Sequence, residues 1–235
     1  MNIASPPPSR DAGSLTDLAY QRLRDGILNG ELRPGHRLRA ADLRARFGLG
    51  LTPIREALAR LTSEGLVDAE THRGSRVSGA SREALAELMD TRRDIEALCL
   101  RRAIARGDTQ WEAEIVASMH LLARAPLPSA AGDRVAWLEW EKHHRRFHFA
   151  LVAAAGSEWL LRFWNTLADH SERYRAIRLL RRDEQAAEVR DMTGEHVAIM
   201  NAVIARDATR AVDLMNAHLH ATERAVARLL EGEKG

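Results

Sequence analysis

"LTPIREALARL", Leu51 to Leu61, decides how the first part of this 235-residue chain folds. Ile54, Ala57, Leu58 and Leu61 recur at i, i+3, i+4 and i+7, the spacing of one buried helix face. Arg55, Glu56, Ala59 and Arg60 fall on the opposite face. Thr52 is placed to cap this helix, and Pro53 to occupy its first position, where a missing N–H costs no hydrogen bond. A helix start of this kind offers backbone donors and a positive dipole end to a phosphate.

Upstream, the turn Gly48-Leu49-Gly50 follows a short helical stretch, Ala40–Phe47, and Gly30 and Pro34-Gly35 break the chain before it. Leu15, Ala19, Leu23 and Ile27 form an apolar stripe that predicts a helix from Ser14. Residues 1–13, with Pro6-Pro7-Pro8, have little to bury and read as a disordered tail. Downstream, Gly65 ends the helix. Leu66, Val67 and Ala69, a polar turn with Gly74, and then Val77 predict a two-stranded hairpin. Helix, helix, glycine turn, helix and hairpin over residues 14–78 is the order of a winged helix-turn-helix. Residues 79–82 read as a linker.

Charge is concentrated in the same region. Residues 31–60 carry seven arginines against Glu31, Asp42 and Glu56, a local excess of +4, while the whole chain is only +2. Nearly all the positive charge is arginine, the side chain best suited to bidentate contact with phosphate or carboxylate. A basic tri-helical unit with a hairpin points to double-stranded DNA.

"ILNGELRPGHRL", "LTPIREALARLTSEGLV" and "HRGSRV" occur in order across residues 15–78 and resemble the GntR family of bacterial transcription regulators. The resemblance implies that the helix bearing Leu51, Thr52, Pro53 and Arg55 enters the major groove. Arg39, Arg44, Arg60 and Arg73 are the further candidate DNA contacts, and Gly74 is the wing glycine. The family usually places Ser-Arg before the Thr-Pro, and that arginine commonly reads a guanine. Here the pair is Gly50-Leu51. Leucine donates to no base edge but can touch a thymine methyl, so an atypical operator is expected.

Residues 83–232 have helical periods almost throughout, with breaks near Gly107, Pro126–Gly132, Gly156, Arg181–Glu184 and Asp207. That predicts a bundle of about six helices and a mainly α chain. Trp137, Trp140, His144, Phe147, His148, Leu151 and Ala155 share one inward stripe. Val189, Met192, His196, Ile199 and Val203 make a second, and Ala211, Leu214, Met215, His218, Thr222 and Ala225 a third. His143 and His220 fall among charged residues and are expected at the surface. A lone inward histidine is usually a core residue bonded to a neighbour. Four on three helices are costly to bury without a partner and suit a divalent metal, Zn²⁺ first, with Ni²⁺ or another ion possible.

"LMDTRRDIEAL", "FHFALVAAAGSEWL", "GEHVAIMNAVIARD" and "RAVDLMNAHL" resemble the FCD ligand-binding domain of FadR-like GntR regulators. That resemblance implies a metal held by one aspartate and three histidines. The histidines match His148, His196 and His218, and the aspartate position is His144 here. With a divalent ion and four neutral imidazoles the site carries +2 rather than +1, which favours an anionic effector. Metal loss is expected as the histidines protonate near pH ~6. The resemblance also implies that Arg92 clamps an effector carboxylate, against the alternative of a surface ion pair. Ile95 and Leu98 are expected to pack inward. Arg173, Tyr174 and Asn165 are further candidates for a cavity wall. Trp111, Trp159 and Trp164 read as packing residues, and Cys99 as a core residue.

The expected function is a homodimeric, cytoplasmic transcription regulator, commonly a repressor, controlled by a small organic acid next to a metal. Two other readings stand beside it. In one the metal ion is itself the effector. In the other the chain is a metal-dependent enzyme, against which no nucleophile elbow, phosphate loop or general base accompanies the histidines. MNIASPPPSR has no hydrophobic signal core, and no apolar run has the length of a membrane span.

Overall fold

In the computed structural model, residues 10–70, 74–126, 133–177 and 190–231 are described. Residues 1–9 of the tail expected over 1–13, Arg73 and Val189 lie outside them, whereas residues 10–13 are helical and not tail. The chain divides into two units, Met1–Ala80 and Ser81–Gly235.

The first unit is a winged helix-turn-helix. It comprises α1 (Arg10–Leu28), β1 (Arg37–Leu38), α2 (Ala40–Phe47), α3 (Leu51–Ser63), β2 (Val67–Glu70) and β3 (Gly74–Val77). Ile54, Ala57, Leu58 and Leu61 are buried, as their spacing predicts, against Ala19, Leu23 and Ile27 of α1. Leu15 is exposed, so the α1 stripe is shorter than expected, although the helix begins earlier, at Arg10.

Two details differ from the sequence reading. The N-cap of α3 is Gly50, with φ −67° and ψ 160°, and no side chain caps it. Thr52 is therefore inside the first turn and not the cap. Pro53 still sits among the first N–H positions, which lack intrahelical partners in any case. The hairpin also gains a third strand. β1 pairs antiparallel with β3, Arg37 opposite Arg76, and the sheet order is β1-β3-β2. Two residues are too short a run for alternation to reveal.

The second unit is helical. Among the described residues it contains α4 (Arg82–Arg106), α5 (Thr109–Arg124), α6 (Arg134–Val152), a 3₁₀ turn (Ala153–Ala155), α7 (Glu158–Ala176), α8 (Met192–Ile204) and α9 (Ala208–Glu231). Ser81, Asp108, Asp133, Ser157 and Asp191 cap the starts of α4 to α8, each accepting from a backbone N–H three residues on. α4 packs against α9 and α7, α5 against α6 and α8, and α8 against α9. The inward stripe of α4 runs Leu85, Met89, Arg92, Glu96, Cys99 and Ala103. Leu98 is exposed and Ile95 half-buried, contrary to expectation, because two charged residues take the inward positions. Trp111 and Trp164 are buried, whereas Trp159 is exposed and is not a packing residue. No described helix is long and apolar enough to cross a membrane.

The turn between α4 and α5 fixes α6, the helix that carries two of the histidines. Trp111 Nε1 donates to the Ala150 carbonyl at 2.7 Å. Its ring lies so close to Gly107 that a Cβ there would meet it at 2.0 Å. Gly107→Ala is expected to lower stability by about 1–3 kcal/mol through overpacking. Gly79→Ala, where a Cβ meets nothing within 4 Å, should change it by less than about 0.5 kcal/mol. Urea unfolding of both variants checks this, and equal midpoints would remove the close-packed role given to Trp111.

Candidate functional site

His144 and His148 come from α6, His196 from α8 and His218 from α9. All four are buried, as the periodicity predicts. Each offers one ring nitrogen to a group in which no two ligand atoms are more than 4.8 Å apart. The Nε2 atoms of His148 and His196 are 3.3 Å apart. A metal–nitrogen bond of about 2.1 Å puts tetrahedral neighbours about 3.4 Å apart, so this pair already has ligand spacing. His144 stacks on Trp140 with ring centroids 4.5 Å apart. Phe147 lies edge-on to His148 and His196, closing an apolar wall.

The outward nitrogens have carboxylate partners. His144 Nδ1 is 3.3 Å from Glu141 Oε1, and His218 Nδ1 is 2.8 Å from Glu195 Oε2. Glu141 in turn pairs with Arg175, and Glu195 with Arg190. Carboxylates behind histidine ligands set the ring orientation and raise ligand basicity. His148 Nδ1 is buried without a hydrogen-bond partner among the described residues. The four rings therefore fit a divalent cation: they are close, buried and turned inward, and two are braced from behind.

Protonation favours the same use. Burial first, then neighbouring cationic groups, holds His144 and His148 well below the usual imidazole range and His196 at about 3. Burial also lowers His218, although its bond to Glu195 works the other way. All four are neutral imidazoles near pH 7.

Arg92 is 4% exposed and faces a small cavity also lined by His144, Arg145, His148, Trp164, Ala168 and Arg175. The space holds about one water molecule. Arg92 Nε has no hydrogen-bond partner among the described residues, and Glu96 Oε2 is 3.6 Å away, beyond hydrogen-bond range. Burial pulls Arg92 down to about 10, with Glu96 opposing, so it remains cationic at neutral pH. The ion-pair reading of Arg92 is met in part: the pair with Glu96 is present, but it is buried and not at the surface. Trp164 donates to Glu96 at 2.8 Å, and Arg145 bonds Asp169, Asn165 and Glu172. Arg173, Tyr174 and Asn165 do not line this cavity.

Sequence reasoning missed Glu141, Arg175, Arg145, Arg190 and Glu195. The available signals were local: Glu141 stands three residues before His144, inside the inward stripe, and Glu195 is adjacent to His196. His143 was expected at the surface but is half-buried, with Nε2 3.0 Å from Glu139. His220 is exposed, as expected.

In the first unit, Thr52 and Arg55 are exposed at the start of α3, with Leu51 and Pro53 half-buried beside them. The side chains of Arg39, Arg44 and Arg55 have no partner among the described residues. Arg60 differs. It stacks 3.7 Å over the Tyr20 ring and reaches Asp17 and Glu64, each at 3.4 Å. Gly74 opens β3 with φ 94°.

Residues 15–77 match the family described as "Bacterial regulatory proteins, gntR family", and residues 87–221 match the FCD domain. The chain belongs to the GntR family. It is 38% identical over 200 residues to the HTH-type transcriptional repressor GlaR of Escherichia coli K12, covering 85% of this chain and 90% of that protein. It is 33% identical to the HTH-type transcriptional regulator BphR of Paraburkholderia xenovorans LB400, over 93% of this chain and 88% of that one. Its fold resembles that of E. coli McbR/YncC, with a TM-score of 0.74 at 22% identity over 94% of this chain and 99% of that one. This GntR protein is a DNA-binding transcriptional regulator, as its relatives are, and not an enzyme.

The pH dependence of folding follows from the histidines. In the unfolded chain they take protons below about pH 6.5, while burial in the folded protein lowers that point for all four, well below it for His144 and His148. Across that window the unfolded state binds more protons, so stability falls as pH is lowered and is fully restored above pH ~6.5. Each such histidine contributes a slope of up to about 1.4 kcal/mol per pH unit. Metal-free protein should lose melting temperature from pH ~7 to pH ~5. A His148→Ala/His196→Ala variant should lose less over the same range, and an equal loss in both would contradict burial as the cause.

Proposed function

We propose that this regulator is a repressor whose helical domain holds a divalent cation, Zn²⁺ or a similar ion, on His144, His148, His196 and His218. A small carboxylate binds against the ion and Arg92 and changes operator affinity. The observation that carries this reading is the buried Arg92 guanidinium, with its unpartnered Nε, in the same cavity as two of the four clustered histidines. Neutral ligands leave the ion's full +2 charge to attract an anion. The repressor assignment draws support from GlaR, named a repressor, and from the probable D-xylose operon repressor of Paenarthrobacter nicotinovorans, 30% identical over 60% of this chain.

The protein acts as a homodimer, since one winged helix reads only a short half-site. Thr52 and Leu51 face base edges. Arg39, Arg44 and Arg55, free of partners among the described residues, hold phosphates, and Arg73 and Gly74 serve the wing. Arg60 is a supporting contact, because Tyr20, Asp17 and Glu64 already engage it. The small cavity favours a second reading in which the ion alone is the effector.

Protein purified without chelator or polyhistidine tag should contain one metal per chain, and the His148→Ala/His196→Ala variant none. Operator binding is then measured on stripped protein with Zn²⁺ alone, and with small carboxylates at saturating Zn²⁺. A response only to the acid, lost in Arg92→Gln, supports the metabolite reading. A response to Zn²⁺ alone supports the ion reading. A wild type without metal defeats both.

Operator choice gives a separate prediction. Selection from random-sequence DNA should return half-sites lacking the family's guanine preference, and Leu51→Arg should recover it. Wild-type selection of the guanine half-site would contradict the role given to Leu51.

A further inference from the structure

Arg190 and Glu195 form a bonded group behind one of the four histidines. Arg190 precedes α8, and Glu195 lies in its first turn. Arg190 Nε donates to Glu195 Oε1 at 2.7 Å and Nη2 donates to Oε2 at 2.5 Å. Nη2 also donates to the His218 carbonyl oxygen at 2.9 Å, and Nη1 donates to Thr222 Oγ1 at 3.0 Å. The Thr222 hydroxyl in turn donates to the His218 carbonyl at 3.0 Å. One guanidinium thus ties the start of α8 to the turn of α9 that carries His218.

Hydrogen bookkeeping then decides the His218 tautomer. Two atoms approach its Nδ1: Glu195 Oε2 at 2.8 Å and Arg190 Nη2 at 3.1 Å. A guanidinium only donates, and Nη2 has two hydrogens. Both are committed, one to Glu195 Oε2 and one to the His218 carbonyl. Nη2 therefore has none left for Nδ1. The carboxylate, which accepts from two Arg190 nitrogens, is an acceptor on its remaining side as well. The contact at 2.8 Å is made only if Nδ1 carries the proton. In a neutral ring the Nε2 lone pair is then free, and the ring itself lies beside those of His148 and His196, with centroids 5.1 and 4.7 Å away.

We infer that Arg190 and Glu195 are the positioning pair that holds His218 in its Nδ1–H tautomer and presents the Nε2 lone pair to the histidine cluster before any cation arrives. In the opposite tautomer Nε2–H would point into the cluster and block coordination there. Glu195 sets the tautomer by accepting the proton. Arg190 enforces it by engaging both Glu195 oxygens and by spending its own hydrogens elsewhere. The consequence for cation affinity rests on the metal reading above, whereas the tautomer itself does not.

The test uses the full-length, metal-stripped, ¹⁵N-labelled protein. A long-range ¹H–¹⁵N correlation spectrum of the imidazoles distinguishes the two tautomers, and His218→Gln assigns the His218 signals. Wild-type His218 should show protonated Nδ1 and bare Nε2. Glu195→Ala should shift it toward the Nε2–H form, and Glu195→Gln, which keeps an acceptor oxygen, should retain the wild-type pattern. Chelator competition with Zn²⁺ should show a loss of affinity of about 10–100-fold for Glu195→Ala, the range for lost outer partners of metal ligands. Glu195→Gln should fall between. Arg190→Ala should also weaken Zn²⁺ binding. Nε2–H His218 in the wild type overturns the inference whether or not any variant folds. Unchanged tautomer and affinity in a folded Glu195→Ala overturn it as well. Nδ1–H His218 in a wild type that takes up no Zn²⁺ supports the tautomer assignment and overturns the metal reading.

Discussion

An imidazole taken out of water brings two ring nitrogens that must find partners, and the helical unit buries four such rings side by side. That constraint organises much of the domain. It explains why Glu141 is buried behind His144 and half-buried Glu195 sits behind His218. Arg175 is drawn in behind Glu141, since a buried carboxylate needs its own counter-charge, and Arg190 pairs with Glu195. The outcome is a shell of paired charges around a neutral, inward-facing cluster. Replacing these pairs by hydrocarbon could leave the fold as stable, so their presence points to a use at the centre and not to stability alone.

The cavity beside the cluster adds a cation with a different character. Arg175 and Arg145 hydrogen-bond carboxylates of their own, whereas Arg92 pairs with Glu96 only at 3.6 Å and its Nε lacks a hydrogen-bonding partner among the described residues. A buried guanidinium left in this condition carries an unpaid hydrogen bond, which an incoming oxyanion can make. In the first unit the contrast runs along the surface. Arg46, Arg60 and Arg76 are engaged by neighbouring acids, while Arg39, Arg44 and Arg55 are open to a phosphate backbone. Among the seven arginines of residues 31–60, Arg46 and Arg60 thus help hold the domain together, while Arg39, Arg44 and Arg55 are exposed with no partner among the described residues.

Much of this was legible in the sequence where apolar periodicity carries the signal. The buried face of α3 and the inward positions of His144, His148, His196 and His218 follow from spacing alone, because a helix has only one way to turn a stripe inward. The failures share a cause as well. Glu141 and Glu96 occupy inward positions of their helices, but a charged residue there reads as a face boundary until its partner is known. Those partners, Arg175 on another helix and Arg92 one turn away, are matched by folding and not by sequence distance. Leu98, expected inward, is exposed because Arg92 and Glu96 take the inward positions of α4. The two-residue β1 and the backbone cap at Gly50 were missed since neither has a side-chain pattern: one is too short to alternate, and the other is a conformation.

Anomalous diffraction at the zinc edge, from crystals of the full chain grown with Zn²⁺, addresses the histidine centre most directly. A single strong peak bonded to His144, His148, His196 and His218, at about 2.0–2.2 Å from each Nε2, is the expected result. A peak at the outlying histidines, His143 or His220, with none inside the cluster would contradict it.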